Sequence, residues 1–222
     1  MSPPSPDPAG SPSLNPFAPI PSSHWLTEAQ RKIVHLAFIL LPLELLHQWL
    51  PWPRGRAEWR VVLITLVVAA IVLDLVRLHD HRVKRFFRIF FGEIIREHEQ
   101  FNLLGSTYLL LASLLAIELF ARPMAAAAIG FTVLGDGIAA IVGRAYGRTR
   151  FFSKSLEGAA AGLMGCLAWA AYLASSGHLP WTVAIVGALV ASLVELLPIP
   201  LDDNLGITLF AGYAMRLLKD ST

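Results

Sequence analysis

Charge is scarce in this chain. Of its 222 residues only 15% are Asp, Glu, Lys or Arg, while 55% are apolar, against roughly 25% and 45–50% in soluble domains. The few charges fall in clusters and leave apolar runs of about 15 to 20 residues between them. That pattern excludes a soluble domain and a nucleic-acid-binding module. Cysteine is nearly absent: Cys166 is the single one, so a disulfide scaffold is excluded as well. Lying inside an apolar run, Cys166 reads as a small helix residue, since a reactive thiol needs an electropositive, accessible setting. The first residues lack the positive start and apolar centre of a signal peptide and the Arg-rich character of a transit peptide, so the first spanning helix is expected to direct insertion.

What the chain does contain is lipid-compatible helix. Residues 1–23 carry Pro at 3, 4, 6, 8, 12, 16, 19 and 21 among Ser and Ala, a composition that predicts a disordered tail. Residues 24–222 then read as a single transmembrane catalytic domain. Seven apolar segments are expected, over 33–50, 60–78, 105–121, 124–142, 158–175, 181–197 and 205–218, giving an all-α, polytopic membrane protein. Pro42 and Glu44 interrupt the first segment and the last is short, so six spans plus one re-entrant or tilted helix is an alternative. Residues 82–95 alternate basic side chains with Phe86, Phe87, Phe90, Phe91 and Ile94, as in an amphipathic helix lying among headgroups.

Counting Lys and Arg on alternating faces of a seven-span arrangement puts 12 on one side and 6 on the other. The richer side is expected to be cytoplasmic, although Arg54, Arg56 and Arg60 stand against that assignment. The long or unusual connections at 79–104, 143–157 and 198–204 then share the cytoplasmic face. Polar chemistry gathered on one side fits a membrane enzyme with a cytosolic substrate better than a channel lined from end to end.

The strongest local signal runs from Gly135-Asp136-Gly137 to Gly143-Arg144-Ala145-Tyr146-Gly147-Arg148 and on to Lys154-Ser155-Leu156-Glu157-Gly158. A carboxylate at Asp136, about 10 Å of helix from Gly143, is costly in a membrane unless it is paired, metal-bound or wetted. Gly135 and Gly137 beside it allow close approach of backbone or ligand, and equally allow helix packing. Gly143, Arg144, Gly147, Arg148, Arg150 and Lys154 read as a flexible basic loop suited to polyphosphate, or as a positive-inside anchor. Ser155 to Gly158 open a helix, whose free N–H groups favour anions. Glu157 there is a candidate to coordinate metal or to orient Lys154.

A second group, Asp202-Asp203-Asn204, offers hard oxygen ligands of the kind Mg²⁺ accepts, or simply a helix start. A third follows the basic segment: Arg96, Glu97, His98, Glu99, Gln100 and Asn102 precede Gly105-Ser106-Thr107-Tyr108, a polar density that anchoring does not need. His79 and His81 read as an exposed cluster rather than a metal pair, and His35 as a packed or interfacial histidine. Asp74 with Arg77, Glu118 with Arg122, and Glu195 before Pro198 lie near span ends, where local pairing explains them.

Together these segments resemble the CTP-dependent lipid-alcohol kinase family, which groups dolichol, polyprenol and phytol kinases with the CTP-using diacylglycerol kinase. The resemblance rests on Arg31-Lys32-x-x-His35, Arg96-x-x-Glu99 followed by Gly105-Ser106-Thr107-Tyr108, the run from Gly135 to Gly158, and Pro200 to Leu205. It implies CTP as donor, Mg²⁺, and a lipid alcohol as acceptor, of polyprenol or dolichol type first and phytol or diacylglycerol next. It further implies Asp136, Lys154 and Glu157 as catalytic residues. Gly135, Gly137, Gly143, Arg144, Gly147, Arg148, Lys154, Ser155, Asp202 and Asn204 would meet the nucleotide. Asp136, Glu157, Asp202 and Asp203 would meet the metal, and Arg96, Glu99, Thr107, Tyr108 and His35 would support the acceptor. The expected partners are CTP, a lipid alcohol and membrane lipids, with no nucleic acid.

Competing classes fit less well. A CDP-alcohol phosphotransferase needs Arg where Ile141 stands and two further Asp downstream; a retinal protein needs a lysine within its last span. A cytidylyltransferase-like enzyme of phospholipid synthesis and an ion-coupled transporter using Asp136 remain the alternatives, the latter without a visible inverted repeat.

Overall fold

The computed structural model describes residues 35–80, 82–83 and 102–221. The tail over 1–23, Arg31, Lys32, most of the amphipathic segment at 82–95, Arg96 and Glu99 lie outside the described residues. Each of the seven apolar segments forms a helix: α1 (Leu40–His47), α2 (Arg56–His79), α3 (Gly105–Leu119), α4 (Arg122–Tyr146), α5 (Leu156–Ser175), α6 (Trp181–Leu196) and α7 (Asp203–Asp220). Among the described residues the one departure from helix and connecting loop is a two-stranded antiparallel hairpin between α4 and α5, β1 (Arg150–Phe151) paired with β2 (Lys154–Ser155).

Among the described residues, α2, α4 and α5 are the helices both long and apolar enough to cross a membrane. With 15 and 16 residues, α3 and α6 reach about 22–24 Å at 1.5 Å per residue, short of a hydrocarbon layer of about 30 Å. The expected spans there were longer because Phe120 and Leu197 are apolar, yet both leave the helix in extended conformation. Three of the seven helices thus have the length and apolarity of a span, and the other four are shorter. In α1, Glu44 is buried and its carboxylate accepts the backbone N–H groups of Trp49 (3.1 Å) and Leu50 (3.2 Å) just past the helix end. An acid inside the first apolar segment thus serves the chain reversal after it.

At the centre stands α4. Pro123 opens it, where a missing N–H costs nothing, and Met124 to Val133 are buried without a break. Small residues let α5 lie close against it: a Cβ on Gly158 would sit 2.6 Å from the Ala139 carbonyl oxygen, and one on Gly162 2.8 Å from that of Gly135. Inside the bundle, the Thr132 and Thr208 hydroxyls bond at 2.7 Å between α4 and α7. On the outside, α2 exposes Val61, Ile64, Leu66, Val68, Val72 and Leu73, the surface of a helix facing lipid.

The C-termini of α2, α4 and α6 and the N-termini of α3, α5 and α7 meet at one end of the bundle. There the Asn204 amide donates to the Gly105 carbonyl (3.2 Å), and the Leu104 N–H donates to Asp74 (2.9 Å). The connections at 143–157 and 198–204 and the described ends of the one at 79–104 meet at this end. At the other end, Arg56 donates to the Phe120 carbonyl (2.8 Å) and Arg122 to that of Arg54 (2.6 Å).

Candidate functional site

The hairpin replaces the flexible basic loop expected from Gly143 onward. Because α4 continues to Tyr146, Gly143 and Arg144 are helical, and Asp136 lies ten residues, about 15 Å, from the helix end rather than seven. Ser155 explains the local fold. It caps α5 by accepting the Gly158 N–H (3.1 Å), and its side chain fills the space that Gly143 and Gly147 leave open, 2.7 Å from where a Cβ on either would stand. The structure thus uses these two glycines to seat Ser155 against α4. Arg144 and Arg148 lie exposed beside it.

Glu157, in the first turn of α5, turns back on the same segment. Its carboxylate accepts the backbone N–H groups of Arg148 (3.1 Å) and Thr149 (3.0 Å). It holds the entry to the hairpin and does not pair with Lys154.

Lys154 instead reaches across the end of the bundle. Its ammonium donates to the main-chain carbonyl of Glu195 and lies 3.2 Å from the carboxylates of both Glu195 and Asp203. Burial opposes the charge on this ammonium, but the two carboxylates outweigh burial and hold it above the ordinary lysine pKa. The last turn of α6 and the first turn of α7 are thereby fastened to β2 by one cation. Glu195 was assigned to local pairing at a span end, and it is the residue that sequence reasoning missed. The available signal was its position: a carboxylate in the last turn of a helix meets the negative end of the dipole and asks for a strong compensating partner.

Asp136 faces His35, with Oδ2 and Nε2 separated by 3.6 Å and both side chains 14% exposed. The neighbouring glycines again serve packing: a Cβ on Gly135 would lie 2.8 Å from the Cys166 sulfur, and one on Gly137 2.6 Å from Leu36. Asp202 caps α7 through the Asn204 N–H (2.9 Å) and also accepts from the Asn204 side-chain amide (3.0 Å). Thr107 is drawn to a different cluster. Its hydroxyl donates to Asp74 (2.7 Å), whose carboxylate also takes the Leu104 N–H and pairs with Arg77 (3.0 Å); Arg77 donates in turn to the Asn102 carbonyl (2.7 Å). Tyr108 lies half-buried one residue on.

Of the four carboxylates expected to hold metal, Asp136 lies opposite His35, Glu157 takes the hairpin amides, Asp202 caps α7 and Asp203 pairs with Lys154. Among the described residues, no group of three or more His, Cys, Asp or Glu side chains comes together as a metal site. The set does not fit a preformed protein cage for Mg²⁺. What the structure does bring to one end is a cation held by two acids, two helix N-termini with Ser and Asp caps, and exposed arginines. Such an arrangement suits a phosphate-bearing ligand at the edge of an apolar bundle.

Comparison with known proteins adds two similarities. The chain is 26% identical over 189 residues to an uncharacterized protein of Rickettsia prowazekii, covering 82% of this chain and 90% of that one. It is 36% identical over 110 residues to the chloroplastic farnesol kinase of Arabidopsis thaliana, covering 43% of this chain and 36% of that enzyme. No family model and no solved structure matches the chain. Over 43% of its length, then, this apolar, helical chain is similar to about a third of an enzyme named as a farnesol kinase.

Proposed function

We propose that the chain is a multi-pass membrane lipid kinase, acting through residues 24–222, that transfers the terminal phosphate of CTP to a lipid alcohol, with its active site on the cytoplasmic face. The observation that carries this reading is the Lys154 cluster: a charged phosphate-type site built where helices of an apolar bundle end. The partial identity to farnesol kinase supports an isoprenoid alcohol, of polyprenol, phytol or farnesol kind, as the acceptor.

In this proposal Lys154 meets the terminal phosphate, and Arg144 and Arg148 supply further positive charge toward the polyphosphate. Ser155 and Gly158 set the amide end of α5, and Asn204 with Asp202 sets that of α7. Asp136, deeper in the bundle, receives the acceptor's hydroxyl, with His35 beside it. The alcohol oxygen attacks the terminal phosphorus, its proton passes to the Asp136 carboxylate, and the bond to the departing CDP breaks with its electron pair. Mg²⁺ is proposed to arrive on the phosphates of CTP, since such a hard cation keeps waters and phosphate oxygens and needs only one or two carboxylates.

The test uses purified full-length protein, CTP labelled in the terminal phosphate, and mixed lipid alcohols. A labelled lipid phosphate is expected, with transfer from CTP exceeding that from ATP. Folded protein that labels none of the polyprenols, phytol, farnesol or diacylglycerol overturns the reading.

A further inference from the structure

Glu195 occupies a place that is unfavourable twice over. It ends α6, where unpaired carbonyls concentrate negative charge, and its side chain is only 9% exposed. Behind it lies a narrow recess lined by Phe131, Gly135, Gly162, Ala191 and Ile207, which offers the carboxylate little water. One contact offsets both penalties: Lys154, held by the main-chain carbonyl and the carboxylate of the same residue. The other partner differs. Asp203 grips the same ammonium at 3.2 Å, but its side chain is 40% exposed. Of the two acids, Asp203 is the one that an incoming anion can displace, while Glu195 keeps its hold from the membrane side.

We propose that Glu195 is a positioning residue of the phosphate site, fixing the Lys154 ammonium so that its remaining donor points to the terminal phosphate. This rests on the transfer reading above. A lysine stem has four rotatable carbons and gives a point charge with no geometry of its own, so its aim must come from its partners. The two-point hold by Glu195 leaves to the substrate the donor that Asp203 takes in this structure. Misplacing a catalytic group by about an ångström slows a reaction by up to about a hundredfold. The charge removed with Glu195 is itself repulsive toward phosphate, so nucleotide affinity changes less than turnover.

The decisive measurement is a double-mutant cycle in the full-length protein. Glu195→Gln should lower kcat at least about tenfold while the KM for CTP stays within about threefold. Combined with Lys154→Met, the same substitution should change kcat by less than about twofold, because its effect runs through the ammonium. The double variant removes both charges at constant bulk and leaves no buried ion unpaired, so it folds where a single variant fails. Glu195→Asp, which keeps the charge one methylene short, should recover part of the lost turnover. A readout independent of turnover is acylation of Lys154 by an amine-reactive ester, followed by peptide mass spectrometry. It should speed up at least about fivefold in Glu195→Gln as the ammonium loses its hold. Unchanged kcat in Glu195→Gln, an equal loss in the Lys154→Met background, or an unchanged acylation rate each overturns the assignment. Wild-type protein that phosphorylates no lipid alcohol overturns the kinase reading instead, and leaves the acylation arm to decide the Lys154–Glu195 linkage.

Discussion

The two ends of the bundle use similar charges in opposite ways. At one, Arg56 and Arg122 cap carbonyls, Arg60 pairs with Glu118, and Glu58 accepts the N–H groups of Arg54 and Gly55. These contacts close helix ends and tight reversals from the surface. At the other, Asp74, Arg77 and Glu195 are buried and Lys154 is half-buried. Burying charge is expensive unless it is fully paired, and surface charge would have closed those helix ends as well. Among the described residues the first end also buries one acid, Glu44, held by the Trp49 and Leu50 amides, whereas the second end buries acids paired with cations, Asp74 with Arg77 and Glu195 with Lys154.

The largest effect should come from the buried cluster that ties α2 to α3. Asp74 is 1% exposed and takes Arg77, Thr107 and the Leu104 N–H at once. Asp74→Ala leaves the Arg77 guanidinium buried with one protein partner fewer, a loss of about 3–5 kcal/mol. Chemical unfolding in detergent measures it. A loss below about 1 kcal/mol, the surface range, would erase the distinction between the two ends.

Next is Asp136. Replacement by Asn keeps size and removes charge, so turnover should fall at least about a hundredfold if this carboxylate takes the acceptor's proton. Chemical unfolding of the same variant separates lost chemistry from lost packing. Near-normal turnover in Asp136→Asn, measured beside CTP binding, returns Asp136 to a packing role.

A smaller effect is expected from Glu157→Gln. The carboxylate holds the Arg148 and Thr149 amides, and a neutral amide holds them less firmly. The hairpin entry loosens, and the KM for CTP should rise several-fold with kcat almost unchanged. A fall in kcat without a change in KM would give Glu157 the direct chemical role that the sequence pattern allowed it.

Much of this was legible before the fold was known, and the reasons are physical. Apolar runs bounded by charge define helices at any packing, so all seven segments formed. Ser155 and Asp202 are good caps wherever a helix follows, and both cap. Alternation of helices puts odd connections on one face by counting alone. What sequence could not supply was distance across the bundle. Lys154 and Glu195 are 41 positions apart and Asp74 and Thr107 33, and no periodicity links such pairs. Gly143 and Gly147 misled for a related reason: glycine signals close approach without saying by what, and here the partner is Ser155. The hairpin was missed because two-residue strands leave no alternating pattern to read.

The smallest effect is expected where the geometry is best. Arg60 and Glu118 form a bidentate pair, Nε to Oε1 at 2.6 Å and Nη2 to Oε2 at 2.7 Å, tighter than the contact between Asp74 and Arg77. If hydrogen-bond geometry set the worth of an ion pair, this one would outrank the buried cluster. Its side chains, however, are 46% and 30% exposed, so water solvates either partner when the other is removed, and salt screens what remains. Burial should decide. A cycle of Arg60→Gln and Glu118→Gln is expected to show little coupling in unfolding experiments, less still in high salt, and lipid phosphorylation at the wild-type rate. Coupling as strong as that between Asp74 and Arg77, measured in the same way, would mean that this end lies in a drier layer than its exposure indicates. The contrast between the two ends would then rest on what the charges touch and no longer on how deeply they lie.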